Sequence, residues 1–329
     1  MANVFVTGPD GLLGSNLVRE LLARNYEVTA MVQEGRDPVT LKGLPITKVY
    51  GDVTSVDQLK QLTKGFDYLV HIAALTDMWP TRGGKHFLIN VEGTKNVIDA
   101  VLENGISRMI HVGSAGSFGY GTLEKPGTEE DSYKSAKYGI GYTDSKMVGE
   151  QVVNEAIKKR NLPAVIVCPT FMIGPYDVKP SSGAIVVAVA KRKLPALPGG
   201  GKNWASVKDV AIGTCNALER GRLGESYILG GENLSFKDAV KKIATAVGQP
   251  DYPKFVMPDF VLKTIGRFSD LYSSVSGKPV QLTYPMARVA CDDHYFSSEK
   301  AIRELGLPQT PLEEAVKELH RWFKENNYL

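Results

Sequence analysis

With 329 residues and 43% hydrophobic side chains, the chain can fill one large domain or two ordinary ones around a sizeable core. Its 39 basic and 36 acidic residues leave a formal charge of +3 without a dense run of one sign, so nucleic acid is not expected as a partner. Cys168, Cys215 and Cys291 lie far apart without a CxxC pair, and no histidine belongs to an HExxH, which argues against a disulfide framework, a zinc knuckle or any other metal site. Buried, inert thiols and scattered histidines are expected.

The first apolar run, Val4 to Val6, is far too short for a secretory signal, and a turn with charged residues follows it at once. The apolar stretch at 184–190, "AIVVAVA", falls well below the ~18–20 residues of a membrane span. These features predict a soluble, cytoplasmic protein with no membrane partner.

Strand-like and helical patterns alternate in the first half: "NVFVTG", "SNLVRELLARN", "EVTAMV", "DQLKQLTKG", "DYLVHIAA", "VEGTKNVIDAVLENG" and "RMIHVGSA". That order predicts an α/β fold, a doubly wound parallel sheet covered by helices on both faces. A further unit follows, with the helix "SKMVGEQVVNEAIKKRN" leading into the strand "PAVIVCPT". The regularity breaks at "PTFMIGPYDVKPSSG", where Pro and Gly cluster. Residues 1–169 are therefore read as a dinucleotide-binding domain and 170–329 as a smaller substrate-binding lobe. Two later segments, the helix-like "NWASVKDVAIGTCNALERG" and the strand-like "ESYILGG", look set to return to the main sheet, so the lobes interleave near 204–231.

Glycine stands at positions 8, 11 and 14, between the first strand and the first helix. In a nucleotide-binding turn Gly8 allows the tight bend, Gly11 lets backbone N–H groups approach a pyrophosphate, and Gly14 permits close helix packing. The helix N-terminus adds partial positive charge. Tyr142 and Lys146 are four apart, so on a helix they share a face and the ammonium can sit near the phenol. A tyrosine titrating near ~10 serves at neutral pH only where positive charge favours its phenolate. Tyr133 and Lys137 have the same spacing, but "GTEEDSYKSAKYGIG" has a surface-loop composition, whereas a long helical pattern runs on from Tyr142.

The Thr-Gly-x-x-Gly-x-x-Gly turn, "GDVTSVDQL" at 51–59, "HIAA" at 71–74 and "YTDSK" at 142–146 resemble the extended short-chain dehydrogenase/reductase family, of the NAD-dependent epimerase/dehydratase superfamily. Nearly the whole chain follows that layout, including "INVEGTKN", "PTFMIGP" and the closing helix, and it is most similar to the bacterial dihydroflavonol-4-reductase-like group, which also contains proteins labelled as sugar epimerases.

The resemblance implies that Thr7, Gly8, Gly11, Leu12, Leu13 and Gly14 cradle the cofactor phosphates and that Asp52 and Val53 meet the adenine. It places Ala73 and Ala74 beside the ribose and nicotinamide, with Pro169 and Thr170 near the nicotinamide. Ser114, at the end of the strand "RMIHV", is the implied hydrogen-bond donor to the substrate oxygen, with Ser117 a rival. Asn90 matches a helix asparagine that supports a water relay to the lysine. A homodimer through the helices around 87–104 and 142–160 is also implied.

At the end of the second strand Val32 and Gln33 stand where a carboxylate would hold the ribose of NAD, which favours NADP(H) with Arg36 near the extra phosphate. Glu34 argues for NAD(H). Ala115 and Gly116 after Ser114 leave no acid-base pair for sugar dehydration. Lys202 and Asn203 replace the Arg-Asp pair common in epimerases. An NADP(H)-dependent reductase of a small-molecule ketone or aldehyde is therefore favoured, ahead of a nucleotide-sugar epimerase with tightly held NAD and a non-catalytic dinucleotide sensor.

Overall fold

Val4, Phe5 and Val6 have no solvent exposure, because strand β1 (Asn3–Thr7) lies in the interior of a parallel sheet and needs no polar alternation. The computed structural model describes residues 1–78, 84–194, 196–251, 255–280 and 282–329. In chain order the strands after β1 are β2 (Glu27–Val32), β3 (Thr47–Tyr50), β4 (Tyr68–His71), β5 (Arg108–Val112), β6 (Ala164–Pro169), β7 (Phe171–Ile173), β8 (Gly201–Ser206), β9 (Ser226–Leu229), β10 (Glu232–Ser235) and β11 (Asp293–His294). Seven of them form one parallel sheet in the order β3-β2-β1-β4-β5-β6-β9.

Side chains alternate across this sheet, so Val4 and Val6 pack on one face and Phe5 on the other. The first face is covered by helices Leu12–Ala23 and Val207–Arg220, the second by Val56–Leu62, Gly93–Glu103 and Gly141–Arg160. This is the expected doubly wound fold. Edge strand β3 carries no sequence signal of its own, since Thr47, Lys48 and Tyr50 are exposed. The segment read as one helix from Asn203 is instead the end of β8, and the helix begins at Val207.

Strands β7, β8, β10 and β11 build a second, four-stranded sheet, packed on helices Ala184–Ala190, Phe236–Ala246 and Leu312–Glu325 around Trp204 and Phe323. Asn203 joins the two sheets. Only 1% exposed, it accepts at Oδ1 from Thr170 Oγ1 and Gly231 N, both at 2.8 Å. Its amide reaches Gly231 O at 3.0 Å and Asn233 Oδ1 at 2.8 Å. Thr170 directly follows β6, so the Asn203 side chain ties β8 of the second sheet to the carboxyl end of β6 in the first.

A second buried network lies at the carboxyl ends of β1 and β4. Thr7 Oγ1 accepts from the N–H groups of Ile72 and Ala73, each at 3.2 Å, so its own proton goes to His71 Nδ1 at 2.8 Å. The ring proton is therefore on Nε2, which donates to Thr94 Oγ1 at 3.1 Å, and Thr94 in turn donates to Asn90 O at 2.8 Å. Burial and the nearby Lys146 ammonium push the His71 ring down to about 3, so it stays neutral. His71 and His111 lie 5.6 Å apart, so these two histidines are not scattered.

Two outcomes follow from these networks. Replacing Asn203 by Leu leaves several buried partners unsatisfied and lowers stability by about 3 kcal/mol, read from the urea midpoint; a loss below about 0.5 kcal/mol excludes the latch. For His71 the unfolded ring protonates near 6.5 and the folded ring only near 3, so its contribution is intact above pH 6.5 and is lost as pH falls toward 3. Unfolding titrations of His71→Gln should show a slope in that window shallower by ~1.4 kcal/mol per pH unit than the parent chain, and equal slopes contradict a neutral buried ring.

Candidate active site

The glycine turn is built by steric necessity. Gly8 has φ +66°, and a Cβ there would lie 2.7 Å from Ala73 N, so a side chain is barred twice. At Gly14 a Cβ would overlap Gly8 O and crowd Pro9, which shows that this glycine lets the helix pack on the turn itself. Gly11 differs, because the nearest atom to its Cβ position is Gly8 O at 3.8 Å and its outer side is open. The helix starting at Leu12 presents its first N–H groups there without intrahelical acceptors. Leu13 is buried in the core, so only its backbone can face a ligand, whereas Leu12 is half-buried. These residues fit a dinucleotide phosphate, with an open cradle and unpaired donors.

Around that cradle the other predicted cofactor residues gather. Ala73 and Ala74 are half-buried directly after β4. Asp52 is exposed and accepts from Thr54 N and Thr54 Oγ1, both at 2.8 Å, while Val53 is buried against Gly93. After β2 the chain turns at Gly35, with φ +75°, and Arg36 N donates to Gln33 O at 3.1 Å. That turn sends the Arg36 guanidinium back over the glycine turn to within 3.6 Å of Asp10 Oδ2. Gln33 and Glu34 are both exposed.

Tyr142 lies in the first turn of helix Gly141–Arg160, and Lys146 lies one turn on. Lys146 Nζ donates to Val112 O at 2.6 Å, at the end of β5, two residues before Ser114. Burial raises the Tyr142 phenol above its ordinary value, and a hydrogen bond from Ser114 partly offsets this. Burial pushes the Lys146 ammonium down to about 8, against the opposing pull of Cys168 and Glu150. Ser114, Tyr142 and Lys146 are thus brought together at the carboxyl edge of the sheet.

Asn90 sits in a π-helical turn, Leu88–Glu92, between helices Gly84–Phe87 and Gly93–Glu103. Its side chain accepts from Leu75 N at 2.7 Å and donates to Leu75 O at 3.0 Å and Ser145 Oγ at 2.9 Å. All three bonds go to the loop after β4 and to helix Gly141–Arg160, and none goes to Lys146. Pro169 is buried at the end of β6, and Thr170 is held by Asn203.

The alternative tyrosine and lysine do not meet. Tyr133 donates to Asp144 Oδ1 at 2.5 Å, whereas Lys137 pairs with Asp292 at 2.8 Å and lies 5.0 Å from the centre of the Tyr138 ring. Their segment is not wholly a surface loop, since Tyr138 is buried. Ser117 is buried beside Glu150.

The carboxyl group of Glu150 escaped the sequence reading. Glu150, one turn beyond Lys146, is buried beneath Gly113 and pushed up to about 7 by desolvation, with Cys168 Sγ donating to it at 3.6 Å. Its i, i+4 spacing from Lys146 was the available signal. Lys202 has its ammonium 4.7 Å from the centre of the Phe171 ring, meets no carboxylate among the described residues, and is pushed down to about 8 by burial. Cys291, expected to be buried, is half-buried, unlike Cys168 and Cys215.

Comparison with known proteins agrees with this architecture. The model of the NAD dependent epimerase/dehydratase family matches residues 4–230. The chain is 32% identical to a protein of Synechocystis sp. named "Putative dihydroflavonol 4-reductase", over 99% of this chain and 95% of that one. It is 27% identical to sterol demethylase protein B of Methylococcus capsulatus, over 98% of this chain and 99% of that one. The crystal structure of gox2253 superposes over the full length of both chains with a TM-score of 0.88 at 31% identity. The glycine cradle and the matched residues 4–230 together lead to one conclusion: this chain is an enzyme of the NAD-dependent epimerase/dehydratase family, an extended short-chain dehydrogenase/reductase.

Proposed function

We propose that this enzyme is an NADP(H)-dependent reductase of an apolar or aromatic ketone or aldehyde. The observation that carries the reading is the convergence of Ser114, Tyr142 and Lys146 at the sheet edge that also bears the open glycine cradle. A bound nicotinamide supplies the hydride. Ser114 donates a hydrogen bond to the carbonyl oxygen as charge develops on it, and Tyr142 gives up its proton to that oxygen. A phenol raised by burial is protonated at neutral pH, which suits a proton donor. Lys146, with its pKa near 8, is mostly charged at neutral pH and stabilises the phenolate left behind. Asn90 holds the Leu75 backbone against the catalytic helix and is a positioning residue.

The apolar substrate class is supported by the dihydroflavonol and sterol in the names of the two relatives. NADP(H) is favoured over NAD(H) because Val32 and Gln33 offer no carboxylate and Arg36 reaches the glycine turn. Residues 1–169 act in this reading as the cofactor domain and 170–329 as the substrate lobe. A homodimer through the helices around 87–104 and 142–160 is supported by exposed Phe87 and Leu88. The second reading, a nucleotide-sugar epimerase, is favoured by Lys202, whose ammonium has no carboxylate counter-charge among the described residues, and an anionic substrate would provide one. Against it, Asn203 is committed to joining the two sheets.

Tyr142→Phe should lower turnover by ~10²–10⁴-fold with cofactor binding retained, while Tyr133→Phe stays within about two-fold; the opposite pattern moves the role to Tyr133. Arg36→Ala should weaken NADPH binding more than NADH binding, and equal losses, or tighter NADH binding by the parent chain, refute the preference. With a suitable ketone, NADPH consumed should equal alcohol formed. Epimerisation of a sugar nucleotide without net cofactor change, faster than any carbonyl reduction, overturns the reductase reading.

A further inference from the structure

An amphipathic helix on a globular protein ordinarily turns its apolar stripe inward. Helix Asp259–Ser276 does the reverse, with Gly266 as its only buried residue. It rests on the next helix, Tyr284–Cys291, through that glycine, where a Cβ would lie 2.9 Å from Tyr284 Cα, so the two backbones nearly touch. The outward face carries Phe260, Ile265, Phe268, Leu271, Tyr272 and Val275, whose helical spacing gathers them on one side. Phe260 is 72%, Phe268 68% and Val275 82% exposed. Leaving so many large apolar groups in water is unfavourable, and a contiguous patch of this kind marks an interaction surface.

The charges around the stripe point to its partner. Asp259 pairs with Lys263 at 3.4 Å, and Asp270 accepts from Tyr284 N at 3.0 Å, so both carboxylates of the helix are engaged. Arg267 and Lys278 remain exposed beside the stripe and at its carboxyl end. Arg267 also donates to Tyr284 Oη at 3.3 Å, but neither cation meets a carboxylate among the described residues, and apolar bulk bordered by such cations is complementary to an anionic lipid surface. A bilayer needs no complementary groove, since such a helix lies in the interface with its apolar side ~5–10 Å deep.

We propose that helix Asp259–Ser276 is a membrane-surface anchor that beds its outward apolar face in an anionic bilayer. This goes beyond the reductase reading and does not depend on it. The sequence-based expectation of no membrane partner rested on span length, and no helix of the described residues is long and apolar enough to cross a bilayer. A helix lying flat needs no such length.

The test is co-flotation of the full chain with vesicles of phosphatidylcholine containing about 30% phosphatidylglycerol, and with phosphatidylcholine alone. The parent chain should float with the mixed vesicles, about five-fold more than a Phe268→Asp, Leu271→Asp double variant, and less with phosphatidylcholine alone or at high salt. Both replaced side chains are exposed, so an unchanged melting midpoint certifies the variant's fold. A parent chain that floats with neither vesicle, or a double variant that floats equally well, overturns the proposal. So does a parent chain that fails to float but sediments as a larger species broken up by the double variant, which assigns the face to self-association.

Discussion

The near-contact between the backbones of Gly8 and Ala73 is the constraint on which the site depends. β1 and β4 pair in parallel and end side by side, which leaves no room for a side chain at Gly8, and Thr7 takes both N–H groups of the segment leaving β4. From there the bonds run through His71 and Thr94 to Asn90, and through Asn90 to Leu75 and to Ser145 on helix Gly141–Arg160. The glycine turn and helix Gly141–Arg160 therefore share one hydrogen-bonded frame. A neutral His71 with a defined tautomer is part of that frame, since a second ring proton would remove the acceptor that Thr7 needs.

The electrostatics of helix Gly141–Arg160 are a balance of burial against neighbouring charge. Burial alone disfavours the ammonium of Lys146 and the carboxylate of Glu150, and each partly restores the charged form of the other. Glu150 lies beneath Gly113, so the segment delivering Ser114 and the Val112 carbonyl rests on this carboxyl group. A bulkier residue at 113 would meet both Glu150 and Cys168.

In the lobe, neighbouring residues of β8 have divergent roles. Asn203 has its polar atoms satisfied by Thr170, Gly231 and Asn233, whereas Lys202 faces the Phe171 ring and meets no carboxylate among the described residues. The first ties the two sheets together. The second leaves a positive charge without a carboxylate among those residues.

Much of this was legible in the sequence because it is local. The spacing of Gly8, Gly11 and Gly14 between a strand and a helix, the apolar runs of β1, β5 and β6, and the i, i+4 pairing of Tyr142 with Lys146 all record backbone geometry within a few residues. The second sheet was not legible, since β7, β10 and β11 have four residues or fewer and neither β10 nor β11 carries an apolar run like that of β1. Nor does spacing distinguish Lys146, which meets Val112, from Lys137, which meets Asp292 in a distant part of the chain. Only the tertiary structure decided these partners, and it alone turned the apolar side of Asp259–Ser276 outward: periodicity identifies a face, but which neighbour covers it depends on residues far away in sequence.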